Sequence, residues 1–535
     1  MATEGKSGSV ISEASRSPLD EEFAAFAHET LKEWKVPGVS IAVIDGDDIF
    51  AEASLSTDGN QGYGMATLPD TPATPSTLWY GASTTKAFTA ALLAKMIDSG
   101  TYDALNKGWQ TPISSIIRDD FVLQDEWSTQ HLTLEDAATH RTGMPRHDKS
   151  SMRQHDCGRQ VTVREIVRNL RNLQIHEQPR VKFLYNNFMY VVLSHVIETL
   201  QGQGLEDALR EEIWDLLGMK STCFSVEAAQ GSAEHFASCY YWDEKEEAFK
   251  EVPPMGVFEN SGAGAVLTNV LDYAKWVKCL LHESPPFSAK VHQDIKTPRI
   301  FGAMPMGPMD VNLYGLGWER NVYRNTPFYK HDGGMHAAGA TVLWVPSRKL
   351  GVVGFANTSL SSNAVLETLV WRLVDDRLGA PTDERNAFTS MKWHGLLSKV
   401  RDDASNAVKI LYPDLPDPPL PPTATTSEVV GKYYDKGYKT LNLSEAPHPD
   451  KPDEKILVAP RENMTWRSRM EFHHVSGDYW IVWSIPAGIT TPYCRDYMRA
   501  QFKRGPDGKV SSLEILMETH LGYTYEGPVS FRRVA

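Results

Sequence analysis

The sequence predicts an α+β fold: an antiparallel sheet flanked by helices, with an inserted helical subdomain, followed by a small C-terminal all-β, barrel-like domain. Three observations carry this prediction. Strand-period alternation occurs early, at Val39, Ile41 and Val43, and returns after His331, at Thr341, Leu343 and Val345. The stretch between is mostly helical in pattern, with segments beginning near Ser83, Val161, Asn187 and Val270. Beyond residue 426 the composition shifts to short β-prone segments. One sheet made from both ends of the first region leaves its helical middle as an insertion.

The elements follow in order. Phe23, Phe26, Ala27, Leu31 and Trp34 recur at helical spacing, and Pro37-Gly38 ends that helix. A strand follows, turns at Asp45-Gly46-Asp47 and returns over Ile49–Ala53. After the strand at Thr341–Val345, Pro346-Ser347-Arg348-Lys349 turns and Val352–Ala356 runs back. A last helix over Ala364–Leu378 carries Val365, Leu369, Leu373 and Leu378 on one stripe. Residues 380–412 read as a polar, partly helical connector. Pro413–Pro422 holds six prolines in ten residues, which bars helix and central strand and suits a semi-rigid spacer. The β-prone segments are Gly431–Asp435, Lys455–Ala459, Arg467–Phe472, Tyr479–Trp483, Arg499–Lys503 and Ser512–Leu516, with a strong turn at Gly505-Pro506-Asp507-Gly508. The expected division is a disordered segment at 1–18, a main domain at 19–380, a connector at 381–426 and an all-β domain at 427–535.

Composition narrows the function. Lys and Arg number 54 against 68 Asp and Glu, a net charge of −14 with no basic tract. Nucleic acid needs clustered cations, so no nucleic-acid partner is expected, and anionic membrane surfaces are disfavoured likewise. No run of about 18 apolar residues exists to span a membrane. The polar N-terminus lacks the apolar core of a secretory signal, which predicts a soluble, cytoplasmic protein. Cys157, Cys223, Cys239, Cys279 and Cys494 are scattered and read as buried free thiols. Neither H-E-x-x-H nor Cys/His ligand spacing occurs, so no metal and no cofactor are expected. Gly62-Tyr63-Gly64 lacks the setting of a dinucleotide loop.

Three short motifs carry chemistry, and they do so only together. Ser83-Thr84-Thr85-Lys86 opens an apolar helix that stops at Gly100. Residues three apart share a helix face, so Ser83 and Lys86 point the same way. A serine hydroxyl needs a base to become a nucleophile, and a lysine amine serves when desolvation and a nearby cation lower its pKa. Tyr185-Asn186-Asn187 stands at the entrance of a second apolar helix, where a phenol can relay protons beside an ammonium. Asn187 offers an amide to Lys86 and to a substrate carbonyl. His331-Asp332-Gly333-Gly334 precedes a strand, where glycines admit a substrate backbone. The Gly334 and Ser83 amides together suit an oxyanion hole.

In this order and context the motifs resemble the serine β-lactamase and penicillin-binding protein superfamily, whose signature is S-x-x-K, then S-D-N or Y-x-N, then K-T-G. The chain is most similar to the class C and peptidase S12 branch. Thr133-Leu134-Glu135-Asp136-Ala137-Ala138-Thr139-His140-Arg141-Thr142-Gly143-Met144-Pro145, Ser261-Gly262-Ala263-Gly264 and Tyr314-Gly315-Leu316-Gly317-Trp318 resemble further landmarks of that branch. The C-terminal domain resembles its lipocalin-like module. The resemblance implies Ser83 as nucleophile, Lys86 and Tyr185 sharing acid and base work, and Asn187, His331, Gly333 and Gly334 contacting substrate. His331 stands where the family often has the lysine of K-T-G. Histidine is only partly charged near neutrality, which argues against β-lactamase activity. The implied function is hydrolysis of a small-molecule ester or amide, as in esterases or D-peptidases. The alternatives are acyl transfer to an alcohol or amine, and a non-catalytic scaffold. Trp79, Tyr80, Phe183 and Trp318 suit either an apolar acyl pocket or core packing. The sequence leaves the oligomeric state open.

Overall fold

The computed structural model describes residues 17–51, 63–304, 308–385, 387–449, 451–489, 495–519 and 524–534. The N-terminal segment lies outside the described residues up to residue 16, as do residues 52 and 53 of the expected return strand. The first helix, Glu21–Trp34, starts where Asp20 accepts a hydrogen bond from the Phe23 amide at 3.1 Å, and it stops at Lys35 in a left-handed conformation. It buries the stripe Phe23, Ala27, Leu31 and Trp34.

Ten strands form one antiparallel sheet. In spatial order its main path runs Thr71–Pro72, Tyr63–Thr67, Gly38–Asp45, Leu350–Ala356, Ala338–Val345, Thr326–Met335, Glu319–Tyr323, Asn312–Tyr314 and Ile300–Phe301. Asp48–Phe50 pairs with Gly38–Asp45 as the return of the first hairpin. The central register, Ile41 opposite Gly354 and Thr341 opposite Gly354, joins the early and late alternating stretches in one sheet. Strand periodicity then sorts the side chains. Val39, Ile41 and Val43 pack under the first helix and Ser361–Leu378, whereas Ala42, Ile44, Val342, Trp344, Val353 and Phe355 face the inserted helices.

That insertion is built on Thr85–Ser99 and Asn187–Gln201, which are buried on nearly every side. Such all-round apolarity suits helices inside a core. The segment Thr133–Pro145 shows how this region is braced. Thr133 and Asp136 form a reciprocal capping box at Leu134–Ala138. The fully buried Asp136 carboxylate also takes Arg141 Nε at 2.6 Å and Arg180 Nη2 at 2.8 Å. These cations and the Thr133 donors overcome the cost of burial and hold its pKa below the ordinary value.

The C-terminal domain is a closed eight-stranded meander from Gly431–Asp435 to Thr524–Arg533, its last strand pairing with its first at Tyr433 and Arg533. Closure leaves no free sheet edge. Five of the β-prone segments fall within its strands, and Arg467–Phe472 starts one residue ahead of the strand Ser468–Ser476. Lys439–His448 and Thr524–Arg533 were not anticipated, because Pro447 and Gly527-Pro528 interrupt the pattern; register shifts beside these positions absorb the interruptions. The connector is more helical than expected, with Ala387–Ser405 and Ala407–Leu411. The proline run does not stand free as a spacer. Its Leu420 amide donates to Ser476 Oγ at 3.1 Å and its Leu420 carbonyl accepts from the Gly477 amide at 3.1 Å, strapping it to the barrel. Proline-rich backbone is already extended, so docking it costs little order.

Cys239 and Cys279 are buried, Cys223 is half-buried and Cys157 is exposed, all as free thiols. Cys157 departs from expectation because it lies in the tight turn before Gly158. No helix among the described residues is long and apolar enough to cross a membrane.

Asp136→Ala is expected to destabilise the protein by roughly 3 kcal/mol, the lower end for a broken buried ion pair, because Arg180 keeps access to water. Calorimetry on the purified variant measures this; an unchanged melting temperature contradicts the bracing role.

Candidate active site

Ser83 lies in a short turn, Ala82–Thr84, leading into Thr85–Ser99. Ala82 takes φ 47, a conformation unfavourable for a residue with a side chain. Local bonds hold it: Thr84 Oγ1 donates to Gly81 O at 2.8 Å and Thr85 Oγ1 to Ala82 O at 2.6 Å. The Gly81 amide donates to Val266 O at 2.8 Å, tying the turn to the Ser261–Gly264 landmark. The turn lies against the strand Thr326–Met335 so closely that a Cβ on Gly333 would come 2.5 Å from Gly81 O. Only glycine allows that approach.

Lys86 is fully buried one turn beyond Ser83. Its Nζ has three polar partners: Ser83 Oγ at 3.2 Å, Asn187 Oδ1 at 2.8 Å and Ala263 O at 2.8 Å. Burial, and then the Arg146 guanidinium, push its pKa well below the usual lysine range, against the opposing pull of Asp148. The Ser261–Gly264 turn reaches Lys86 because Gly262 packs directly on Asn187–Gln201; a Cβ there would lie 2.0 Å from Ser194 Oγ.

Tyr185 sits in extended chain before Asn187–Gln201, fixed on both sides by His140. The Leu184 amide donates to His140 O at 2.8 Å and the Asn186 amide to His140 Nδ1 at 3.1 Å. Burial pushes the Tyr185 pKa above the ordinary tyrosine value, against the opposing pull of Arg146 and of the Ser83 side chain. Lys86 Nζ and Arg146 Cζ lie 4.8 Å and 5.0 Å from its ring centre. Asn186, not Asn187, caps the helix, accepting from the Met189 amide at 3.2 Å. Asn187 is therefore available to Lys86. Its Nδ2 donates one hydrogen bond to Asp148 Oδ1 at 3.0 Å.

His331 is buried behind this group. Its Nδ1 lies 2.7 Å from Asp332 O, an acceptor, so Nδ1 carries the proton and Nε2 accepts from the Tyr314 hydroxyl at 3.1 Å. Burial and the nearby Lys86 lower its pKa to about 4, so the ring is neutral at physiological pH. Gly334, two residues after Asp332, is exposed at the cleft. The structure thus brings Ser83, Lys86, Tyr185 and Asn187 into direct contact, with Gly333 against the nucleophile turn, while His331 is committed to the protein interior. Of the aromatic candidates, Trp79 and Trp318 are core residues: Trp79 bonds Ser40 and Trp318 packs on Trp344. Phe183 packs on His140 and Tyr314 beside the cleft. Tyr80 lines a cavity of about 110 Å³ with Cys239 and Met335. Among the described residues, no group of three or more His, Cys, Asp or Glu side chains is placed to hold a metal ion.

Sequence reasoning missed the residues immediately after Pro145. Arg146 and Asp148 pair at 2.7 Å between Tyr185 and Asn187. The signal lay in their adjacency to the Thr133–Pro145 landmark. It also missed the barrel's share. A cavity of about 190 Å³ between the domains is lined by Arg146, Asp148 and His336 on one side and by Tyr438, Met470 and Met517 on the other. His147 Nδ1 lies 2.7 Å from the Tyr438 hydroxyl, which lies 3.0 Å from Glu526 Oε2. His147 Nε2 donates to Gln174 O, so a neutral imidazole accepts from Tyr438 at Nδ1 when Glu526 is protonated, while an ionised Glu526 accepts from the Tyr438 hydroxyl. Burial pushes the Glu526 carboxyl up to about 7.

A family model described as Beta-lactamase matches residues 23–375. The chain is 36% identical over 521 residues to an unguisins hydrolase of Aspergillus campestris, covering 95% of this chain and 92% of that one. The chain belongs to the beta-lactamase family of serine hydrolases. In fold it is similar to the octameric penicillin-binding protein homologue of Pyrococcus abyssi, with a TM-score of 0.58 and 19% identity, covering 95% of this chain and 99% of that one. It is also similar to a class C beta-lactamase of Rhodobacter sphaeroides, with a TM-score of 0.51 and 22% identity, covering 67% of this chain and all of that one.

A carboxyl whose folded pKa is raised binds its proton more tightly in the folded state, so its stabilising contribution is complete at acid pH and is lost as pH rises toward the folded pKa. The wild-type protein is therefore expected to lose on the order of 3 kcal/mol relative to Glu526→Gln as pH rises from about 5 to about 8. Thermal melts of both proteins across that range measure the difference; parallel profiles contradict it.

Proposed function

We propose that the protein hydrolyses an ester or amide through an acyl-enzyme on Ser83. The observation that carries this is the coordination of Lys86. Asn187 Oδ1 and Ala263 O can only accept, so an unprotonated Lys86 amine spends its two N–H bonds on them. Its lone pair then faces Ser83 Oγ, 3.2 Å away. Lowered basicity keeps a fraction of that amine unprotonated near neutrality. Ser83 attacks the substrate carbonyl and its proton passes to Lys86. The amides of Ser83 and Gly334 stabilise the oxyanion. Tyr185, whose ring centre lies 4.8 Å from Lys86 Nζ, relays the proton to the leaving group, and water completes the cycle by the reverse route. The name of the Aspergillus relative supports hydrolysis, and makes an unguisin-type molecule the first substrate to try.

Neutral His331 offers no fixed cation to a substrate carboxylate. Across a panel of esters, D-amino-acid peptides and β-lactams, intact-mass measurement is expected to show an adduct on Ser83 with esters or amides and no turnover of β-lactams. Lys86→Ala is expected to slow acylation by about 10²- to 10⁴-fold. Acylation at the wild-type rate in that variant, or an adduct that survives in Ser83→Ala, contradicts the assignment.

Activity should rise with pH as Lys86 loses its proton. Arg146 disfavours the charged amine, so Arg146→Gln is expected to move the acidic limb of kcat/KM to higher pH. A limb that stays in place removes Arg146 from the electrostatics of the base.

A further inference from the structure

The aim of the Lys86 lone pair is set by residues outside the three motifs. A side-chain amide can present either its oxygen or its NH2 group to a neighbour. Asn187 is fixed by its far end, where Asp148 Oδ1 accepts from Nδ2 at 3.0 Å. Reversed, the amide oxygen would oppose a carboxylate, and the NH2 group would draw the lone pair of Lys86 away from Ser83. Asp148 also holds Arg146, whose guanidinium covers the Tyr185 ring. One acidic side chain thus touches the partners of both proton-carrying groups.

The segment that bears it is held from the barrel. His147 has φ 53, disfavoured for any residue with a side chain, and such a conformation persists only where neighbours over-determine it. Here the ring spans Gln174 O at 2.9 Å and the Tyr438 hydroxyl at 2.7 Å. Lys149 Nζ pairs with Asp496 at 2.8 Å, and Arg461 Nη2 donates to Lys149 O at 3.3 Å. Tyr438, Arg461 and Asp496 all belong to the barrel domain.

We propose that Asp148 is a positioning residue that orients Asn187, and through it the Lys86 lone pair, and that the barrel holds Asp148 in place through Tyr438, Arg461 and Asp496. The proposal rests on the serine hydrolase reading. It makes the barrel a requirement for the rate of acylation as well as a wall of the cleft.

The test is the rate of Ser83 labelling by a fluorophosphonate in the full-length protein, measured across pH. In Asp148→Ala the plateau rate should fall by roughly 100-fold, the lower part of a general base's contribution. Asp148→Asn keeps an acceptor oxygen for Asn187 and should recover most of that loss. Lys86 is faced by Ser83, Asn187, the Ala263 carbonyl and the Tyr185 and Tyr190 rings, with the His140 and His331 imidazoles, both held below the usual histidine range by burial, and the charged Arg146 and Asp148 beyond them. Both Asp148 variants remove the negative charge, so both should move the acidic limb to lower pH. A purely structural defect would not separate plateau from limb in this way. Tyr438→Phe should lower the plateau, and combining it with Asp148→Ala should cost less than the product of the two effects. A wild-type plateau in folded Asp148→Ala overturns the proposal, as does independent multiplication in the double variant. If Asp148→Ala does not fold, Tyr438→Phe decides alone, and a rate within about twofold of wild type overturns it. Wild-type protein that fails to label refutes the hydrolase reading, and the positioning role with it; wild-type labelling with an unaffected Asp148→Ala refutes the positioning role alone.

Discussion

A buried lysine amine is the constraint around which this molecule is organised. Removing a cationic group from water costs several kcal/mol unless polar partners replace the solvent. Lys86 obtains its partners from three separate stretches of chain: its own turn, the Asn187 helix start and the Ala263 turn. Each must arrive within hydrogen-bond distance. The tight contact at Gly262 seats the Ala263 turn on the Asn187 helix, and that at Gly333 seats the strand Thr326–Met335 against the nucleophile turn. Burial, the glycines and the antiparallel sheet that ties both ends of the region together are therefore parts of one requirement. The same burial that demands these partners weakens the basicity of the amine.

The domain interface follows a different logic. Its contacts near the site are polar and largely satisfied: Lys149 with Asp496, His147 with Tyr438, and Ser151 Oγ with Thr465 Oγ1 at 2.9 Å. Polar bonds are directional, so they fix the register of two surfaces more sharply than apolar contact does. The price is sensitivity to protonation, concentrated in Glu526, whose second oxygen has no protein partner. An apolar seam would have held the barrel without that dependence, but would not have oriented the hydrogen-bonding side chains of the Arg146–Lys149 segment.

The order of elements in the main domain was legible because burial imposes periodicity. The alternation at Val39–Val43 and Thr341–Val345 announced strands that turned out to share a sheet, and Ser83–Lys86 lay on one face because three residues make most of a helical turn. The convergence of Ser83, Lys86 and Tyr185 was legible only through the joint order of their motifs, since each alone has an ordinary structural explanation. What the sequence did not disclose was non-local. Asp148 is a common residue in a polar stretch, and nothing in its neighbours reveals that Asn187 lies opposite it. Tyr438 lies 291 positions beyond His147, and no local propensity connects them. Strands Lys439–His448 and Thr524–Arg533 escaped because barrel closure, a tertiary gain, overrides the local interruptions at Pro447 and Pro528.

The charge character of the cleft is itself a consequence of strand geometry. A lysine is present in the third motif, but one position early, at Lys330. Side chains alternate along a strand, so a displacement of one residue sends the group to the opposite face of the sheet. Lys330 points away from Ser83, pairing with Asp332 at 2.9 Å and lying 3.7 Å from Glu367. His331 takes the inward position, where burial beside Lys86 keeps it neutral. A second cation there would also have deepened the suppression of Lys86, since like charges at close range disfavour one another. Placing the lysine behind the sheet and a neutral imidazole before it leaves Arg146, already balanced by Asp148, as the principal charge acting on the amine. The chemistry of the site is thus set by which face of one strand a single residue occupies.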